Sequence, residues 1–166
     1  MKTIRILIFA SAVLIIGNSQ VLLAKTYSQG NIEIYNIWTR TTPGRAKTAA
    51  VYIERIYNSG QQADHLVRIS STLAKKNLIH RTIVEDGIAK MVHVKELKVH
   101  AGHSVSFQPG RLHIMMLGIQ KSLNGGDSFP MTLEFKKAGK IEIIAEVREM
   151  GLSPKMKMDH KKNHQH

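Results

Sequence analysis

The feature that most constrains this chain is a rhythm of short β-prone runs broken by turn residues. Asn31 to Trp38 carries Ile32, Ile34, Tyr35 and Ile37, and Ala49 to Tyr57 carries Val51, Tyr52, Ile53 and Ile56. His65–Ser70, Leu78–Val84, Ile88–Val94, Ser104–Gln108, Leu112–Leu117, Phe129–Phe135 and Ile141–Val147 continue the series. Thr41-Thr42-Pro43-Gly44, Asn58-Ser59-Gly60, Pro109-Gly110, Asn124-Gly125-Gly126 and Ala138-Gly139 punctuate it. No long segment repeats with helical periodicity, and only Ser71–Asn77 is read as a short helical turn. About nine short strands with a turn signal every 8–12 residues or so predict an all-β sandwich or barrel. The chain has no cysteine, so an ordinary apolar core must hold this fold without disulfides.

The two ends read differently. Lys2 and Arg5 precede an apolar run from Ile6 to Ile16, and Val21-Leu22-Leu23-Ala24 follows a short polar stretch. This is a secretory leader pattern, too short to span a bilayer comfortably. Residues 1–24 are therefore expected to be a signal peptide cut after Ala24, with cleavage after Ser19 or retention as an anchor as the alternatives. A domain over residues 25–152 follows, and then a disordered tail over 153–166 rich in Lys, His and Met. The formal charge is +12, of which the leader carries two basic and no acidic residues, leaving +10. An exported basic protein rarely meets nucleic acid, so an anionic membrane surface or an acidic partner is the expected use of that charge. The expected location is periplasmic or secreted.

The chemistry concentrates between Leu78 and Gly118. His80 is followed after ten residues by Met91, after twenty-one more by His113, and one residue later by Met115. If Asp86 and Gly87 are the central residues of a hairpin turn, Glu85 faces Ile88, His80 faces His93 and Thr82 faces Met91. Side chains alternate along strands, so His80, Thr82, Met91 and His93 then share a face. Met91 sits diagonal to His80, within reach of a long side chain. His113 and Met115 likewise share a face, with Ile114 and Met116 directed to the core. Two His–Met pairs are thus candidates to converge on one ion. Neutral, polarisable thioethers suit Cu(I) and offer little to Zn²⁺ or Mg²⁺. A blue-copper electron-transfer centre needs a thiolate, which this chain lacks, so the ligands point to carriage of the ion.

With these residues in view, the chain resembles the periplasmic copper chaperone family called PCuAC. The spacing His-x10-Met-x21-His-x-Met is met by His80, Met91, His113 and Met115. Trp38-Thr39-Arg40-Thr41-Thr42-Pro43-Gly44 with Ala49-Ala50-Val51-Tyr52, Pro109 through Gly118, and Gly126-Asp127 are similar to the family's text, so that the resemblance runs from about Gly30 to Val147. It implies a cupredoxin-like or immunoglobulin-like β-sandwich that binds Cu(I) outside the cytoplasm. It also implies delivery to a copper-accepting protein such as a cytochrome c oxidase subunit. Many relatives have Met before and an acidic residue after the first His; here these are Ile79 and Arg81, which bears on partner choice and affinity.

Other candidates have plainer readings. His93 is a candidate accessory group beside the four ligands. Met156 and Met158 for Cu(I), and His160, His164 and His166 for Cu(II), make a candidate weak tail site. His65, His100 and His103 are read as solvated loop or edge residues, Trp38 as core, and Met131 and Met150 as packing. The rival functions are copper sequestration for resistance, using the same residues, and a metal-independent secreted β-sandwich that binds a protein or glycan. No nucleophile–base pair stands at a recognisable spacing, so an enzyme is not expected.

Overall fold

The computed structural model describes residues 25–149. The predicted leader, the whole of the predicted tail, and Met150 lie outside them. Within them the chain is all-β: β1 (Thr26–Gln29), β2 (Ile32–Arg40), β3 (Thr48–Asn58), β4 (Asp64–Ser70), β5 (Ala74–Glu85), β6 (Ile88–Val94), β7 (Leu97–Val99), β8 (Ser104–Phe107), β9 (Leu112–Ile119), β10 (Ser128–Phe135) and β11 (Gly139–Arg148). The nine expected strands are all present. The two extra ones, β1 and β7, are short: β1 is mostly exposed and has no apolar alternation, and β7 alternates over only three residues, too few to mark a strand in sequence.

The strands join in the order β6-β5-β9-β3-β2-β11-β10-β4-β7, with β1 on β2 and β8 on β3. Most pairs are antiparallel, and β11 with β2 is parallel. The path folds over one core, in which Ile34 and Ile53 meet Ile114 and Met116 from one half and Leu66 and Leu133 from the other. This is the sandwich arrangement the strand rhythm predicted. Each such fully buried side chain contributes about 1.5–3 kcal/mol by leaving water.

One local feature reassigns faces. Asn36 takes a left-handed φ of 45°, which Asn tolerates better than most residues. Its Nδ2 donates to Glu54 Oε2 at 2.5 Å across the β2–β3 pair. Before this point Ile32 and Ile34 are buried; beyond it Ile37 and Thr39 are. The inward parity therefore switches. Trp38, expected in the core, falls on the outer face, half-buried, where it stacks on Tyr52 with ring centres 4.7 Å apart.

The short helix expected over Ser71–Asn77 is not formed. Ser71–Leu73 makes a tight turn in which Ser71 Oγ accepts from the Leu73 N–H at 3.2 Å and donates to the Pro130 carbonyl at 3.0 Å. Ala74 to Asn77 is already β5, paired to β9. Tertiary pairing overrides the weak local preference there.

Candidate metal centre

Strand β5 lies between β6 and β9, and its register with both places the candidate ligands. Asp86 and Gly87 have φ of 53° and 75°, the left-handed pair that a type I′ hairpin turn requires. The register that follows is the expected one: Glu85 opposes Ile88, Thr82 opposes Met91 and His80 opposes His93. On the other side His80 opposes His113 and Leu78 opposes Met115. Three imidazoles thus form one row across three strands. Ring centres are 6.1 Å apart for His80–His93 and 6.0 Å for His80–His113, both edge-on.

The flanking residues show why the row points outward. Ile79, Ile114 and Met116 have the opposite parity and are 4% exposed or less, which locks β5 and β9 against the core. Met115 and Met91 stand on opposite sides of the histidine row, Met115 half-buried on β9 and Met91 62% exposed on β6. All four sequence-predicted ligands and His93 therefore share one face. The backbone register brings His80 and His113 directly together and leaves Met91 as the outermost of the set.

The two central imidazoles are prepared differently. His113 is 6% exposed, and its Nδ1 lies 3.0 Å from the Arg111 carbonyl. A carbonyl only accepts, so Nδ1 carries the proton and Nε2 is left with its lone pair, the tautomer a metal ligand needs. The same carbonyl accepts the Thr82 N–H at 3.2 Å, tying the loop before β9 to the strand that holds His80. This carbonyl is a positioning group that no side-chain pattern in the sequence announces. His80 Nδ1 is buried and has no hydrogen-bond partner. Burial first, then the neighbouring His113 and His93, hold the His80 pKa below the ordinary 6.5, so the ring stays neutral and its nitrogen remains an unspent ligand. A buried orphan nitrogen of this kind calls for a partner.

Among the described residues no group of three His, Cys, Asp or Glu side chains is arranged to hold a metal. What the face offers instead is imidazole with thioether, a neutral donor set matched to a soft ion and poor for hard cations. Arg81 lies on the neighbouring parity, exposed. His65 instead meets Glu96, at 3.5 Å, and Met131 packs in the core as expected. Met156, Met158, His160, His164 and His166 lie outside the described residues.

The sequence profile of the LpqE-like family, described as "Putative lipoprotein LpqE-like", matches residues 32–147. A protein of Rickettsia prowazekii (strain Madrid E), RP573, is 36% identical over 102 residues, which is 59% of this chain and 56% of that protein. The chain thus spans little more than half of that relative's length. Among solved structures, the "Copper-bound PCuAC domain from PmoF2" superposes with a TM-score of 0.66 at 25% identity, over 76% of this chain and 99% of that one. The "Solution structure of CuI-DR1885" from Deinococcus radiodurans, at 21% identity and a TM-score of 0.56 over 80% of this chain and 83% of that one, shares the fold. The PmoF2 structure is described as a PCuAC domain, and the matching family is named for a lipoprotein. By its profile match and its superposition, the chain belongs to the LpqE-like family and carries a domain of the PCuAC type.

Proposed function

We propose that this protein is an exported copper chaperone that carries Cu(I) on His80, His113, Met115 and Met91, with His93 as an accessory group. The observation that carries the reading is the His80–His113 pair, edge-on at 6.0 Å, one ring tautomerically fixed and the other with an orphan nitrogen. Imidazole nitrogens bind such ions at about 2.0 Å, so two rings sharing one ion stand about 5 to 6 Å apart between centres. The two methionines complete a soft set from either side of the row. Structural likeness to a domain described as copper-bound supports the same cargo here.

The ion leaves by stepwise ligand exchange, in which an acceptor's donor atom replaces one thioether or imidazole at a time. No bond of a substrate is made or broken. The expected acceptor is a copper-accepting protein such as a cytochrome c oxidase subunit, approached from an extracytoplasmic location once the leader of residues 1–24 is removed. The tail residues Met156, Met158, His160, His164 and His166 supply a weaker recruiting site, the histidines for Cu(II). A Cu(I) competition titration against a chromophoric chelator tests the primary site. Replacing His113→Ala together with Met115→Ala should abolish tight binding, and retention of sub-micromolar affinity would show that the ligands lie elsewhere.

A further inference from the structure

A second pair of histidines stands at the far end of β3 from the candidate centre. The β7–β8 connection is the turn His100-Ala101-Gly102-His103, closed by the His103 N–H donating to the His100 carbonyl at 3.1 Å. Gly102 supplies the left-handed φ of 69° at the third position, as a type II turn requires. The turn is not a loose tip. The Gly102 N–H donates to the Asn58 carbonyl at 2.8 Å, the Asn58 N–H donates to the His103 carbonyl at 3.1 Å, and Asn58 Nδ2 donates to the Val99 carbonyl at 3.1 Å. Asn58 itself is 1% exposed, so the turn is moored to a buried residue of β3.

That mooring presents two exposed imidazoles side by side. The rings of His100 and His103 are 6.1 Å apart between centres, at 68°. This separation matches the 6.0 Å of His80–His113. His103 Nδ1 lies 2.7 Å from the Ala101 carbonyl, which fixes the proton on Nδ1 and turns the Nε2 lone pair outward, the arrangement that metal-ligating histidines usually show. Tyr57 pairs with Ser104, whereas the β3–β9 register extended by one residue sets Tyr52 beside His113. The two histidine pairs are therefore about 20 Å apart along β3.

We propose that His100 and His103 form a separate bis-imidazole site for a borderline divalent transition ion, Cu(II) above all, with water completing the coordination. Two neutral nitrogens without a thioether favour Cu(II) over Cu(I), and the Irving–Williams order places Cu(II) ahead of Ni(II) and Zn(II) at such a site. The domain then sorts copper by oxidation state: thioether with imidazole at one end, imidazole alone at the other.

The test uses the full chain and Cu(II) itself. In an amide-resolved NMR titration, substoichiometric Cu(II) should broaden Gly102, His103 and Ser104 through paramagnetic relaxation; if these amides stay sharp while others broaden, the proposal fails. A second measurement counts bound ions in a full chain whose tail ligands are removed by His160→Gln, His164→Gln and His166→Gln. Adding His100→Gln and His103→Gln should remove about one equivalent of Cu(II) and leave Cu(I) capacity unchanged, as neutral imidazole pairs predict. An unchanged Cu(II) count overturns the proposal, as does loss of that equivalent on His80→Gln with His113→Gln instead. Because the Cu(I) count is read separately, failure here leaves the chaperone site standing, and failure there leaves this one.

Discussion

On β9, His113 is 6% exposed and tethered by a backbone carbonyl, whereas on β6 Met91 is 62% exposed on the outermost strand of the sheet. The two strands flank the same central histidine, yet one is a wall and the other a rim. Leu112, Ile114, Met116 and Ile119 of β9 enter the core, while β6 is exposed over almost its whole length. Val84, Ile88, Met91 and Val92, the exposed large apolar side chains of the described residues, all belong to the β5–β6 hairpin. The difference teaches how a carrier can hold an ion and still surrender it. On the proposed site, the ligands on the wall would define where the ion sits, and the ligand on the rim would be the one an acceptor displaces first.

Breaking the wall should have the largest effect. Ile114→Ala removes a fully buried side chain between the two β9 ligands, and should lower stability by about 2–5 kcal/mol, read from urea denaturation. On the rim, Ile88→Ala should change the same stability by no more than about 0.5 kcal/mol. Equal losses would erase the distinction between the two strands.

Metal affinity sharpens the contrast further. His113→Ala should weaken Cu(I) binding by more than about 100-fold, beyond the usual cost of losing an outer-shell partner. Met91→Ala should weaken it by about tenfold or less, since one exposed, uncharged thioether is lost, while speeding transfer to a thiol chelator in stopped-flow measurements. If Met91→Ala costs as much affinity as His113→Ala, the rim is an anchor as well.

Acid should separate the regions more gently. His80 has a depressed folded-state pKa caused first by burial, so the unfolded chain binds its proton more readily. The stability tied to the neutral ring is complete above the ordinary value of about 6.5, declines as pH falls below it, and is fully lost beneath the folded-state pKa. Metal-free protein should therefore be less stable at pH 5 than at pH 7 in urea titrations, and His80→Gln should flatten part of that slope. An NMR titration should find His80 protonating at lower pH than a free imidazole.

The hairpin half of the site was legible because it is local. Asp86-Gly87 dictates a two-residue turn, and the turn dictates that His80 opposes His93 and Thr82 opposes Met91. The other half is not local. His80 and His113 are opposed because β9 is inserted beside β5 from more than twenty-five residues away, and no turn fixes that register. Alternation alone could say that His113 and Met115 share a face, without saying what they face. Trp38 shows how alternation misleads: continuing the parity of Ile32 and Ile34 puts it inside, and the left-handed Asn36 turns it out. β7 is three residues long, too short for any period to register. His100 and His103 looked like ordinary loop histidines because their pairing depends on a turn geometry and on Asn58, forty-odd residues earlier.

The donor set has an electrostatic consequence for the direction in which the ion travels. Imidazole and thioether are neutral, and no carboxylate or thiolate stands among the candidate ligands. A loaded carrier would thus bear the whole charge of Cu(I) uncompensated, on a chain that is already strongly cationic. Any acceptor that offers an anionic sulfur neutralises that charge as it bonds, so the step from carrier to acceptor runs downhill in Coulombic terms as well as in bond strength. Return of the ion would have to recreate a separated charge. On the proposed site, the absence of cysteine that would make this chain a poor final resting place for copper would also send the ion one way, toward thiolates.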